Sequence, residues 1–406
     1  MHNSKITLTA SMLVMTLFGS VHSFSVFLSP LESLLGASRA EVSLFYSLAL
    51  VFLTIMVLVG HRCYEWLSPE KMILAYCFLG ALGIGIASFS NSWIGIFLGY
   101  SLVFGCINGL CYGYTLQLMG RVFSQRRGFA MGAVTAAYGF GSIVFSFIFA
   151  DLLETESVST VFRILAICLI GFGILGALLL RISGVHYKGG HYKECEPDSA
   201  SPDLPKMNNI NGSSFETAQS DLQPGVRVYW LCYFFGILSG LMIIGHAAAI
   251  VQSRGASESV AFWGAVAVGI GSTAGGFMSG YLIDRWPESW LLKGLPLLCM
   301  IVLLLLMVTS DAGGAIGLLC IIGFSYGSII TVYPVSISKR YGQVAGPIVY
   351  GKVFTAWGLA GLLGPWFAGY VFDQFASYNI AIFFAAITAL LCVVAVQYSG
   401  ISNQHH

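Results

Sequence analysis

Long apolar stretches separated by short polar turns recur along the whole chain. A helix needs about 20 apolar residues to cross about 30 Å of hydrocarbon. Runs of that kind fall near 7–28, 41–60, 71–89, 92–119, 128–150, 160–181, 227–251, 258–283, 290–309, 313–337, 343–372 and 378–400. They predict an all-α integral membrane protein with twelve transmembrane helices, six on each side of a polar segment. The first run follows Lys5 and ends in small residues, as a secretory leader does; counting it as a helix keeps the two halves equal. The expected domains are a six-helix half over 1–182, a linker over 183–226 and a second six-helix half over 227–406. Within the linker, Pro197, Pro202, Pro205 and the polar run Asn208 to Ser214 leave little apolar surface to bury, which predicts a mostly disordered tether.

The halves echo each other. An offset of 219 carries Tyr114 to Tyr333, Arg121 to Arg340, Gly132 to Gly351, Gly139 to Gly358 and Tyr138 to a second aromatic, Trp357. The same offset carries Gly36-Ala37-Ser38 to Gly255-Ala256-Ser257, and an offset of 220 carries Gly60 and Trp66 to Gly280 and Trp286. Duplicated helical units of this kind are a signature of secondary transporters, whose substrate lies between the repeats.

With 57% hydrophobic and only 9% charged residues, the chain has too little polar surface to coat a water-soluble globule of its size. A net charge of +1 and the lack of a basic, aromatic-interleaved stripe argue against nucleic acid. The 10 cysteines stand singly without ligand spacing, so neither a metal nor a cofactor is expected. No nucleophile-base pair or phosphate loop points to an enzyme. Alternating spans place 16 of the 19 lysines and arginines on one side and only Arg39, Arg163 and Arg254 on the other. By the positive-inside rule, both termini and the linker face the cytoplasm.

Polar side chains inside such runs are expensive and are therefore candidates for function. His22 and His246 qualify, each able to carry a proton, and each equally able to serve packing through a hydrogen bond. In the fourth run Gly105, Gly109 and Gly113 form a small-residue stripe for close helix approach. Asn108, Tyr112 and Thr115 form a neighbouring polar face, fit either for lining a cavity or for interhelical hydrogen bonding. Tyr138 and Trp357 are candidate apolar walls. No acidic residue lies near the middle of a run. The turn Gly280-Tyr281-Leu282-Ile283-Asp284-Arg285 puts an aspartate where it can meet a helix N-terminus, such as the one starting near Gly128. Asp284, Arg285, Arg121 and Arg340 are thus the candidates for a cytoplasmic gate, against the alternative that they only set topology. The matching first-half turn, Gly60 to Glu65, has no aspartate.

The G-x-x-x-D-R turn, the two six-helix halves and the arginine after the fourth run resemble the major facilitator superfamily. Within it, Tyr350-Gly351, Thr355-Ala356-Trp357-Gly358, Leu363-Gly364-Pro365 and Ala368-Gly369-Tyr370 resemble the oxalate/formate antiporter branch of monocarboxylate-type transporters. So do Gly240-Leu241-Met242 through Gly245-His246, and Arg126-Arg127-Gly128 through Tyr138-Gly139. The resemblance implies alternating access, with substrate held by the first, fourth, seventh and tenth helices together with the fifth, eighth and eleventh. It also implies that oxalate carriers use an arginine and a lysine at places occupied here by Gly276 and Trp357, which turns the expectation from a dicarboxylate to a monocarboxylate. The expected partners are a small-molecule substrate, protons and the lipid bilayer, for a monomer in the cytoplasmic membrane working by proton symport or exchange. A carrier of a larger amphipathic solute, such as a drug or siderophore, is the alternative, and a membrane sensor built on the same fold is a further one.

Overall fold

The structure is a computed structural model that describes residues 3–185 and 223–398, Ser38 and Glu65 excepted. Every regular element among them is helical. In chain order, α1 is Ser4–Phe18, continued as a tighter 3-10 coil over Gly19–Phe27. After a short helix over Leu28–Leu35 come α2 (Arg39–Val59), α3 (Pro69–Ser88), α4 (Trp93–Val122), α5 (Arg127–Leu153) and α6 (Val158–Ser183). The second half runs α7 (Gln223–Ile244), α8 (Glu258–Leu282), α9 (Glu288–Val308), α10 (Ala312–Gly342), α11 (343–375) and α12 (Asn379–Tyr398).

Eleven of these are long and apolar enough to cross a membrane. The remaining one, α11, has the length but is diluted by Gly346, Pro347, Gly351, Gly358, Gly361, Gly364 and Pro365. It is parted from α10 by one residue, Gly342, with φ 73° and ψ −169°. Three expected boundaries move. The first run stays α-helical only to Phe18. The seventh begins at Gln223, inside the stretch assigned to the linker, and breaks at Gly245–His246 before a short helix over Ala247–Gln252. The rest of the linker, 186–222, lies outside the described residues.

Helix starts are fixed by side chains that accept otherwise orphaned N–H groups. Ser157 accepts from Thr160 at 3.2 Å, Ser92 from Gly95 at 3.2 Å and Asp311 from Gly314 at 2.6 Å. The surface is inverted relative to a soluble protein: Ile167 is 69% exposed and Leu82 50%, whereas Asn108, Thr115, Ser325 and Ser328 are fully buried. Apolar exposure on that scale belongs against lipid.

Small residues decide which helices touch. A Cβ on Gly105 or Gly109 would lie 2.7 and 2.2 Å from the carbonyl oxygens of Ala49 and Leu53, so α4 and α2 pack backbone to backbone. In the second half, α10 meets α8 the same way: a Cβ on Gly323 or Gly327 would lie 2.3 and 2.0 Å from the carbonyl oxygens of Val268 and Ser272. Those two residues stand 219 positions after Ala49 and Leu53. The duplication is therefore visible in the packing itself.

Candidate functional site

The halves meet along two helix pairs, α5 with α8 and α2 with α11. A Cβ on Gly139 of α5 would lie 3.4 Å from Thr273 Oγ1, and one on Gly358 of α11 would lie 2.9 Å from Thr54 Oγ1. Thr54 and Thr273 are again 219 residues apart. Each turns its hydroxyl back to its own helix, at 2.8 Å from Leu50 O and 2.9 Å from Gly269 O, with its oxygen still facing the glycine opposite.

At the end of the bundle that carries most of the basic residues, hydrogen bonds tie the halves together. The N–H groups of Gly128 and Phe129, which open α5, donate to the two carboxylate oxygens of Asp284 at 3.0 and 2.8 Å. The first N–H groups of a helix have no partner of their own and carry its positive end, so a carboxylate fits there. Lys339 Nζ stands 3.4 Å from the same carboxylate and donates to Ile283 O at 2.7 Å. Arg127 adds a third crossing through Nη1 to Ser338 O at 3.1 Å. Arg285 and Arg340 engage aromatic rings of their own half. The Arg285 guanidinium lies 3.5 Å over the ring of Tyr281 on its own helix. Arg340 sits 5.9 Å over Tyr229, also within the second half. Arg121 lines a cleft at this end, together with Gln117 and with Ser338 and Pro347 of the second half. Arg127 and Lys339 looked in the sequence like topology-setting charges; only the fold puts them opposite a partner.

Deeper in, rings form a continuous line across the interface. His22 lies 5.3 Å from Tyr138, Tyr138 lies 5.2 Å from Tyr112, Tyr112 lies 5.8 Å from Phe354, and Phe354 stacks on Trp357 at 5.2 Å. The first three come from one half and the last two from the other. Polar edges along this line are held by protein: Tyr138 donates to Asn108 Oδ1 at 2.9 Å, and Trp357 Nε1 donates to the Tyr326 hydroxyl at 3.0 Å. His22 Nδ1 and the Tyr46 hydroxyl are 2.7 Å apart. Asn108 Nδ2 donates in turn to Phe18 O at 2.8 Å, where α1 is leaving α-helical geometry. That exit is what lets Gly19 reach the backbone of Tyr138, whose carbonyl oxygen would lie 2.0 Å from a Cβ there.

The sequence candidates His22, Asn108, Tyr112, Tyr138 and Trp357 thus come together, joined by Phe354, which no sequence signal marked. Thr115 is buried one turn away, 4.0 Å from Cys111 Sγ. His246 stands apart at the break after α7, with Nε2 2.9 Å from Pro365 O and Nδ1 3.4 Å from the Tyr378 hydroxyl. Replacing Asn108 with alanine would strand the Tyr138 hydroxyl and Phe18 O in a dry interior. An unpaired buried group costs about 1–3 kcal/mol, so the Asn108→Ala protein is expected to unfold at a clearly lower temperature in detergent. Adding Tyr138→Phe should return part of the loss, and a purely additive double variant would contradict the pairing.

Comparison with known proteins follows this geometry. The sequence model of the Major Facilitator Superfamily matches residues 8–346 and again 229–400. The chain belongs to the Major Facilitator Superfamily. It is therefore a transporter of small molecules by family, and not an enzyme. It is 23% identical over 359 residues to the uncharacterized MFS-type transporter YhjX of Escherichia coli, covering 88% of this chain and 85% of that protein. It is 21% identical to the oxalate:formate antiporter of Oxalobacter formigenes, over 94% of this chain and 88% of that one. Rat monocarboxylate transporter 12 is likewise 21% identical, over 93% of this chain and 79% of that one. Among solved structures, the fucose transporter FucP in its outward conformation superposes with a TM-score of 0.68 at 15% identity, covering 97% of this chain and 98% of that one. The proton:xylose symporter XylE gives 0.70 at 13% identity, covering 96% and 94%. At those identities the structures establish the shared superfamily fold alone.

Proposed function

We propose that this superfamily member carries a small organic acid of the monocarboxylate class by alternating access, with the basic end of the bundle and the segment joining the two halves on the cytoplasmic side of the cell membrane. The observation that carries this reading is the uncharged line of rings and hydroxyls across the interface, which suits an acid of low charge better than a dicarboxylate. The oxalate:formate antiporter and the monocarboxylate transporters among its relatives support the same class. His22, Asn108, Tyr112, Tyr138 and Trp357 are the residues assigned to substrate, with Thr115 behind them. Asp284 is assigned to the cytoplasmic gate, with Arg121, Arg285 and Arg340 around it. The working unit is a monomer.

His22 is the proton carrier in this scheme, since it adjoins the ring line, while His246 is engaged within the second half. Flux from His22→Gln protein should lose its dependence on a pH gradient, and flux from His246→Gln protein should keep it. The opposite pattern would exchange their roles, and pH-dependent flux in both would remove proton carriage from histidine altogether.

The same uncharged, aromatic wall also suits a larger amphipathic solute, which is the second reading. A thermal-stability screen of purified protein against formate, lactate, pyruvate, oxalate, hydrophobic cations and siderophores separates the two. Ligand at about 100 times its Kd adds about 2.7 kcal/mol to the folded state. Stabilisation by a monocarboxylate supports the first reading; silence toward every small acid with a response to a bulky solute rejects it.

A further inference from the structure

Helix α9 carries a cation within its apolar span. Trp286 and Trp290, at its start, are 51% and 68% exposed. Tryptophans gather at the headgroup level of a bilayer, so these two mark the membrane boundary at the basic end. Lys293 lies five residues beyond Glu288, the first residue of α9, about 7.5 Å along the helix axis. It shares a face with Trp290 one turn before it and with Leu297 one turn after it. Leu297, Ile301 and Leu304 are exposed, as side chains against hydrocarbon are.

A charged side chain on such a face is costly unless something anionic meets it. Among the described residues the Lys293 ammonium makes no ion pair and no hydrogen bond. Glu288, the acidic residue that precedes it on α9, accepts instead from the Ser336 hydroxyl inside the second half. A charge that only sets topology can stand in the turn, as Arg285 does. The repeat does not ask for Lys293 either: at the offset of 218 that carries Pro69-Glu70 to Pro287-Glu288, its counterpart is Ala75. Beside it an open groove of about 580 Å³ runs between α9 and α12, lined by Ser289, Trp290, Lys293, Gly294, Leu297 and Val393. Ser289 and Trp290 bring a hydroxyl and an indole N–H to its shallow end, and Leu297 and Val393 give it apolar walls. Gly294 keeps the space between them clear, since a Cβ there would meet nothing within 4 Å.

We propose that this groove binds one anionic phospholipid, with the headgroup phosphate on Lys293, Ser289 and Trp290 and an acyl chain over Gly294 between Leu297 and Val393. Helical side chains lean toward the N-terminus of their helix. Because α9 starts at the basic end, the Lys293 stem carries its ammonium back to the tryptophan level, where phosphates lie, while its methylenes stay against the groove. Basic pockets between membrane helices hold anionic headgroups by this means. A free phosphate ion would meet the cation but leave the apolar walls uncovered, and a zwitterionic lipid would bring a cation of its own. The site depends on no reading of the transported solute.

Native mass spectrometry of the purified full-length protein tests the site, with dioleoyl phosphatidylglycerol, dioleoyl phosphatidylcholine or inorganic phosphate titrated in detergent. Wild-type protein should bind phosphatidylglycerol about fivefold or more tightly than phosphatidylcholine, the factor that one lysine near the headgroups contributes. Lys293→Gln should bring phosphatidylglycerol down to the phosphatidylcholine level, and Lys293→Arg should keep the preference. Gly294→Leu, placed where the protein leaves open space, should melt close to wild type and still weaken phosphatidylglycerol binding by filling the place of the chain. Equal phosphatidylglycerol affinity in wild type and Lys293→Gln overturns the proposal. Unchanged affinity in Gly294→Leu overturns it too, by leaving a surface charge without a groove. Inorganic phosphate bound as tightly as phosphatidylglycerol would make this a free-anion site and likewise overturns it.

Discussion

Gly280→Val is expected to cut transport tenfold or more while leaving each half folded. A Cβ at Gly280 would sit 2.5 Å from Gly128 O and 2.8 Å from the Gly132 Cα, both in the opposite half. Overpacking of that kind costs about 1–3 kcal/mol, and more when backbone is the obstacle. Here the strain has an exit, because separating the halves at the basic end removes the clash. The substitution therefore acts on the equilibrium between open and closed rather than on folding, and each 1.4 kcal/mol shifts that equilibrium about tenfold. Gly109→Val is the control. Its Cβ would lie 2.2 Å from Leu53 O inside one half, where no rocking motion relieves it. That variant should lose folded protein in a detergent melt, whereas Gly280→Val should melt close to wild type and fail in flux. Wild-type flux from Gly280→Val would mean that α5 and α8 need not approach this closely at any stage of the cycle.

Much of the architecture was legible because duplication writes itself into the sequence through the residues that cannot vary freely. Gly36 and Gly255, paired by offset alone, both take a positive φ, 60° and 81°. Gly132 and Gly351, also paired, both lie at crossings between the halves: against Gly276 and Gly280 in one case and Val57 and Leu58 in the other. Their partners Val57 and Gly276 are themselves 219 residues apart, a pairing the sequence could not flag because valine and glycine share no chemistry. The contact survives the substitution because it is made by backbone, and backbone position is what the repeat preserves.

What was not legible arises from geometry that composition does not encode. An apolar run shows how far a helix extends but not where it tightens, so the 3-10 coil over Gly19–Phe27 and the break at His246 were invisible. His22 and His246 look alike in sequence, as histidines in apolar helices. One adjoins the rings at the interface, and the other is turned toward Pro365 and Tyr378 by a local break. Phe354 was one phenylalanine among 29 until the fold placed it between Tyr112 and Trp357.

Asp284→Ala should free the basic end, and the effect should not be buffered elsewhere. The Asp284 side chain is 7% exposed and accepts two of the orphan N–H groups of α5 while facing Lys339. Removing a carboxylate cap costs about 0.5–2 kcal/mol, and the loss of its interaction with the helix dipole adds about 0.3–1 kcal/mol. Because the cap and the capped helix belong to different halves, that energy is withdrawn from the closed arrangement specifically. Amide exchange at Gly128 and Phe129 should accelerate by about tenfold, with flux altered to match. Asp284→Asn keeps one acceptor oxygen and should fall between. Unchanged exchange in the alanine variant would show that the Arg127 bond to Ser338 holds the end closed by itself. Symmetry gives the reason to expect otherwise. At the offset of 220 that relates Gly60 to Gly280, the place of Asp284 is taken by Tyr64. Its ring packs on Tyr114 at 5.6 Å and its hydroxyl completes no hydrogen bond among the described residues. At that offset the cap at the turn after α8 is thus matched by an aromatic side chain.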